Sequence, residues 1–286
     1  MAAHQFRGPS DLHLHSERSD GTQTPAEVMR SAHEHGVRTA ALTDHDTTDG
    51  WAEAATAATS LGMTFLPGME MSARYHGRSV HVLAYLIDPD DAPLRAEVTR
   101  VRSSRLDRAR TMADRIARDY DLSWPDILAH TRDGATVGRP HIADALVAKG
   151  HVRDRTEAFS GILNPRGDYY VALYAPDPVT AVRLVVGAGG VPIVAHPAGR
   201  AGVLPDDVLR RMLDAGLAGF ELAHRENRAE GVRTLRRLVD ERALIVTGSS
   251  DYHGAGKPNL PGENTTSDDM VQRIIDTASG TAPIYS

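Results

Sequence analysis

The stretch Asp11-Leu-His-Leu-His-Ser-Glu-Arg-Ser-Asp-Gly21 constrains this chain more than any other, because it puts His13, His15 and Asp20 in one short run. In an extended strand alternate side chains leave on the same side, so His13 and His15 face one way together. Two imidazoles on one face, followed by a carboxylate from the next loop, open a divalent-metal site. An H-x-H pair by itself is common and decides little. Five further short stretches carry the same residue types, however: Thr43-Asp-His-Asp-Thr47, Gly68-Met-Glu-Met-Ser72, Val80-His-Val82, Ala195-His-Pro197 and Ser250-Asp-Tyr-His-Gly254.

What is missing narrows the ligand chemistry. There is no cysteine, which removes disulfides, thiolate zinc sites and cysteine nucleophiles together and leaves His, Asp and Glu as the strong metal ligands. A formal charge of −6 argues against a broad nucleic-acid surface, although a local basic pocket can still hold a phosphate. No apolar run is long enough to cross a bilayer, and Met1-Ala-Ala-His-Gln-Phe-Arg-Gly8 lacks the apolar core of a signal peptide, so a cytoplasmic protein is expected.

Taken in order, the first segment repeats strand and helix. Thr24-Pro25-Ala-Glu27 puts a capping Thr before a Pro at the first helical position, and Gly36 closes that helix. Strands are expected over 37–43 and 63–67 around a helix at about 50–60, then paired strands over 69–75 and 78–87 about a His76-Gly77 turn. From about Asp91 only helices are expected. Leu94, Val98, Val101, Ala109, Met112 and Ile116 form an apolar stripe, while Arg100, Arg102, Arg105, Arg108 and Arg110 are expected on the remaining surface. Capping patterns at Ser123 and Asp154, and Gly138-Arg-Pro-His141, start further helices. After about 167 the alternation resumes, with Val191–Ala195, Leu217–Leu222 and Ala243–Thr247 as strands. The expected fold is α/β, a mainly parallel sheet or barrel, with barrel segments 8–91 and 168–286 around a helical insertion at 92–167.

On this reading His13, His45, Glu70, His196, Asp251 and His253 fall at or just past strand ends, where α/β barrels build their sites. With His15, Asp20 and His81 they make nine candidates, more than one ion takes, so two or three ions are expected with Glu70 bridging a pair. Buried without such partners, these groups would cost several kcal/mol, on the order of 2–7 each.

H-x-H with a following S-D-G, then T-D-H-D, G-x-E, an isolated H, A-H-P and S-D-x-H-G resembles, in order, the motif series of the polymerase and histidinol phosphatase (PHP) family. The helical insertion with its Arg-rich helix and G-R-P-H looks like the stand-alone members that act on nucleotide 3',5'-bisphosphates, AMP or RNA 5' ends. The resemblance implies a distorted (β/α)7 barrel with a trinuclear site, usually manganese, with iron or zinc as the other choices. It assigns His13, His15, Glu70 and Asp251 to one metal, Glu70, His81 and His196 to a second, and Asp20, His45 and His253 to a third.

The chemistry follows from charge. A phosphate ester is anionic and resists attack; two cations sharing a bridging hydroxide lower the repulsion and supply the nucleophile. Asp20, His45 and His253 are the expected catalytic group, beside substrate as well as metal. Asp44 and Asp46 either orient His45 and relay a proton or are loop carboxylates. Arg102, Arg105, Arg139 and His141 are the candidates for a substrate's remote phosphate and ribose, since Arg offers a planar fork. The remaining histidines, His224 among them, are read as having no role. The expected activity is hydrolysis of a small nucleotide's phosphate monoester; the alternatives are a 5'-to-3' exoribonuclease on short RNA, a histidinol phosphatase, and a non-catalytic, metal-stabilised binding module.

Overall fold

The computed structural model describes residues 8–131 and 135–286; the stretch 1–7, most of the segment read above for a signal peptide, lies outside them. Strand and helix alternate at first: β1 (Ser10–Leu14), α1 (Pro25–Glu34), β2 (Thr39–Leu42), α2 (Trp51–Ser60), β3 (Thr64–Tyr75) and β4 (Arg78–Tyr85). Then come α3 (Ala92–Ile116), α4 (Trp124–Leu128), α5 (Arg139–Ala148) and α6 (Arg155–Ser160), with no strand between them among the described residues. Alternation resumes with α7 (Pro178–Gly187), β5 (Val191–Val194), α8 (Asp206–Asp214), β6 (Gly219–Ala223), α9 (Ala229–Arg242), β7 (Ile245–Gly248) and α10 (Asp268–Thr277).

The seven strands form one sheet in chain order, parallel throughout except that β4 runs antiparallel to both neighbours. His15 N–H donates to Tyr252 O across 2.9 Å, so the end of β1 meets the chain just past β7 and the sheet nearly closes. This is the distorted seven-stranded barrel expected from the sequence. Strand alternation sorts its two surfaces. Leu14 packs with Val28 and Met29 of α1 and Ala54 and Ala58 of α2, while His13 turns to the barrel interior and meets Glu221 of β6.

Local signals explain the elements. Thr24 Oγ1 accepts from Glu27 N–H while Glu27 reaches back to Thr24 N–H, a complete capping box with Pro25 behind it. His76 and Gly77, at φ 43° and 85°, make the tight turn between β3 and β4. One expectation needs correcting: the strands read separately at 63–67 and 69–75 are one, β3. Its first part pairs with β2 as far as Pro67 and its second with β4 from Gly68, so the proline sits where the strand changes partner.

Helices α3 to α6 enclose an apolar cluster of their own, with Met112, Ile116, Ile127, Ile142 and Leu146. Here the surface reading of the arginines also needs correcting. Val101, Arg105, Arg108 and Met112 follow at helical spacing, and all four are buried. Two arginines therefore interrupt the apolar stripe.

Candidate metal centre

The nine residues singled out by motif converge inside the barrel. His13 lies within β1 and His15 just past it; His45 follows β2; Glu70 is in β3 and His81 in β4; His196 follows β5; Asp251 and His253 follow β7. Backbone geometry swings several inward. Asp46, His196 and Asp251 adopt left-handed conformations, at φ 53°, 32° and 55°, which non-glycine residues hold only where the surroundings enforce them. Gly21 closes the loop that carries Asp20, where a Cβ would lie 2.5 Å from His15 O.

Glu70 is the centre of the arrangement. Its Oε2 is 3.2 Å from His13 Nε2, 3.0 Å from His15 Nε2 and 3.2 Å from His45 Nδ1; its Oε1 is 2.7 Å from His81 Nδ1 and 3.4 Å from His196 Nε2. Asp251 Oδ1 faces His13 Nε2 at 3.5 Å and His15 Nε2 at 3.4 Å. Asp20 reaches His253 Nε2 at 3.1 Å and His45 Nε2 at 3.8 Å. Donor atoms of His15, Asp20, His45 and His253, of His13, His15 and Asp251, and of His45, Glu70 and His81 fall within 4.8 Å of one another in each set.

Much of this closeness is not hydrogen bonding. Glu70 Oε1, His45 Nδ1, His81 Nδ1 and His253 Nε2 are buried without an aligned hydrogen-bond partner among the described residues, although oxygen and nitrogen lie within 4 Å. Lone pairs that converge on shared points rather than on one another's protons suit divalent cations, and this donor set of imidazole and carboxylate fits them. The electrostatics agree. Burial opposes charge on Glu70, yet His45, His81 and His13 hold it well below the usual carboxylate range. For Asp20 burial likewise opposes, and His253 and His45 keep it well below. Burial pushes His45 well below its ordinary value, whereas His13 and His196 are raised against their burial, His13 by Glu221, Glu70 and Asp251 and His196 by Glu70 first.

The carboxylates beside His45 are braces. Asp44 accepts from Ser16 N–H at 2.8 Å and from the hydroxyls of Ser16 and Ser19 at 2.6 Å. Asp46 accepts from Ser72 N–H and Oγ at 2.7 Å and from Arg105 Nε at 2.9 Å.

The proposed substrate residues part company. Arg102 is half-buried at the surface and pairs with Asp49 at 3.3 Å. Arg105 is buried on Asp46 and Ser72. His141 is tied to its own helix, its Nδ1 accepting from Gly138 N–H at 3.0 Å as a cap of α5. Arg139 lies over the rings of Phe159 and Tyr170, at 5.2 and 5.6 Å, and with His81 and His196 lines a cavity of about 340 Å³. Arg108 joins this group: its Nε is buried with no hydrogen-bond partner among the described residues, and burial, then Arg105 and Arg139, push it down to about 9.

Three residues near the centre escaped the sequence reading. Glu221 Oε1 is 2.9 Å from His13 Nδ1, and its Oε2 accepts from His196 N–H at 2.8 Å. A lone Glu in the apolar strand Gly219–Ala223 was the available signal. His224, read as having no role, is buried 3.6 Å from Asp251 Oδ2. Lys257 Nζ contacts the same oxygen at 2.6 Å; it comes from a loop with no pattern to announce it.

Comparison with known proteins agrees with this picture. The PHP domain model matches residues 11–122. The chain is 36% identical over 257 residues to the 3',5'-nucleoside bisphosphate phosphatase of Chromobacterium violaceum, spanning 86% of this chain and 88% of that protein. It is 31% identical over 246 residues to the 5'-3' exoribonuclease of Haemophilus influenzae, spanning 85% and 89%. A solved structure from Bifidobacterium adolescentis, assigned as a metal-dependent phosphoesterase, superposes with a TM-score of 0.92 at 38% identity, over 94% of this chain and 96% of that one. Fold, site and likeness together define a metal-dependent phosphoesterase, and therefore a hydrolase. The chain belongs to the PHP family.

Proposed function

We propose that the protein hydrolyses a phosphate monoester of a small nucleotide, a nucleoside 3',5'-bisphosphate first and AMP second. The observation that carries this reading is Arg139 lining one cavity with His81 and His196 of the carboxylate–histidine cluster around Glu70. Arg108, buried in the same helical segment, has an Nε with no hydrogen-bond partner among the described residues. A buried guanidinium nitrogen without a partner costs free energy unless an anion meets it, and a second phosphate is such an anion. The similarity to a nucleoside bisphosphate phosphatase supports the same choice.

In this reading His13, His15, Glu70 and Asp251 would hold one divalent ion, Glu70, His81 and His196 a second, and Asp20, His45 and His253 a third. Two to three ions per chain are assigned, manganese before iron or zinc. Bound there, such ions neutralise phosphoryl oxygens and make water a nucleophile near neutral pH. Glu70 serves two sets by offering Oε2 to one and Oε1 to the other. Asp20 and His45 keep some exposure at the mouth of the cluster. Both are assigned to substrate contact and, with His253, to proton transfer toward the departing oxygen. Residues 92–167 are taken as the part that holds the rest of the substrate, between barrel segments 8–91 and 168–286.

Phosphate release with Mn²⁺ from adenosine 3',5'-bisphosphate, AMP, histidinol phosphate and 5'-phosphorylated oligonucleotides tests the proposal. The bisphosphate should give the highest kcat/KM. A preference for the oligonucleotide, with release of mononucleotides, would replace it with the exoribonuclease alternative.

A further inference from the structure

We propose that Glu221 is a positioning residue of the metal centre that sets both the tautomer of His13 and the backbone of His196; this rests on reading those two histidines as ligands. Glu221 stands on β6 with its carboxylate fully buried, and its two oxygens serve two different donors. Oε1 takes His13 Nδ1 from β1 at 2.9 Å, and Oε2 takes the N–H of His196 at 2.8 Å, just past β5. β1 and β5 are not neighbours in the sheet, so this one side chain joins ligands that the strand ladder does not hold together.

The proton inventory gives the contact its meaning. An ionised carboxylate only accepts, so His13 Nδ1 carries a proton, and Nε2 is the nitrogen left to give its lone pair once an ion displaces any proton there. That Nε2 is the atom facing Glu70 Oε2 at 3.2 Å and Asp251 Oδ1 at 3.5 Å, inside the cluster. At His196 the accepted N–H belongs to a residue at φ 32°, a conformation that the surroundings must maintain. Losing the contact frees both constraints.

Glutamine cannot replace this carboxylate, although it has the same shape. One oxygen and one NH2 cannot accept from two N–H groups. With the NH2 toward His13, the imidazole proton must move to Nε2 and close the ligand atom; with it toward His196, two donors oppose each other. Aspartate keeps two acceptors on a shorter arm.

The test is Mn²⁺ titration by calorimetry of chelator-stripped wild type, Glu221→Gln, Glu221→Asp and His13→Ala, with imidazole ¹⁵N spectra as a tautomer readout. Glu221→Gln should weaken one class of site by about 10- to 100-fold, the usual size for an outer partner of a ligand. Glu221→Asp should lose less, and in wild type loaded with diamagnetic Zn²⁺ the His13 signal should be that of the Nδ1–H form. Wild-type affinity in Glu221→Gln beside clear loss in His13→Ala overturns the role of Glu221 alone. Wild-type affinity in His13→Ala overturns the ligand reading and the inference with it. If the Gln variant does not fold, the same comparison is made with Glu221→Asp, and wild-type affinity there overturns the proposal.

Discussion

Arg105 donates through Nε to Asp46 Oδ2 across 2.9 Å, and the pair is buried where helix α3 meets the loop that carries His45. The contact makes the helical segment part of the support of the metal centre. Breaking a buried pair leaves an uncompensated charge and costs about 3–5 kcal/mol. Arg105→Ala should therefore lower the urea midpoint strongly, and Arg105→Lys, which keeps the charge but loses the fork, by less. A midpoint unchanged in Arg105→Ala would show that the pair does not brace the fold.

Arg108 should behave in the opposite way. Its Nε is buried with no hydrogen-bond partner among the described residues, so removing the cation relieves desolvation and Arg108→Met is expected to hold or raise stability. Nucleotide kcat/KM should fall about ten- to a hundredfold, the loss of one charge-assisted contact of about 1.5–3 kcal/mol. Hydrolysis of p-nitrophenyl phosphate, which has no remote phosphate, should barely change. Equal falls for both substrates would place Arg108 in the support of the reacting centre instead.

Arg139→Ala should show the same divergence between substrates with metal content unchanged. Because Arg139 also lies over Phe159 and Tyr170, this variant should in addition lose some stability, on the order of 0.5–2 kcal/mol from the cation–π contacts. Full bisphosphate turnover in Arg139→Ala would remove it from the substrate site.

Glu70→Gln should lose metal and activity together. One carboxylate lies among five imidazoles, and without its charge two neighbouring cations would face each other directly. Elemental analysis is expected to give two to three divalent ions per chain in wild type and fewer in the variant. Normal occupancy with normal turnover in the variant would refute the bridging role.

Chelator-stripped protein should melt lower than metal-loaded protein, with Tm rising with Mn²⁺ concentration. Binding to the folded state alone adds about 2.7 kcal/mol when free ion stands at a hundred times Kd. A scan in which Tm ignores Mn²⁺ between stripping and saturation would count against tight sites in this cluster.

The metal-ligand candidates were legible in the chain because each lies in a short motif within a strand or in the loop that follows one, where residue type and local geometry coincide. His13 and His15 share a face by strand periodicity alone, and Thr24 with Glu27 announces α1 without any distant contact. Alternation of strand and helix was enough for a mainly parallel sheet or barrel, because parallel strands need crossovers and those crossovers are the helices; the choice of a barrel came with the family resemblance.

Partnerships between residues far apart in the chain were decided only by the tertiary structure. Glu221 meets His13 across 208 positions, and Lys257 reaches Asp251 from a loop without pattern. The arginines of α3 show the reason most clearly. Helical periodicity ranks positions by hydrophobicity and assigns charge to solvent, yet Arg105 lies on the buried face because Asp46 and Ser72 are brought to it by other elements. A side chain's charge is local information; whether that charge finds a partner, and so whether it can be buried, belongs to the folded molecule.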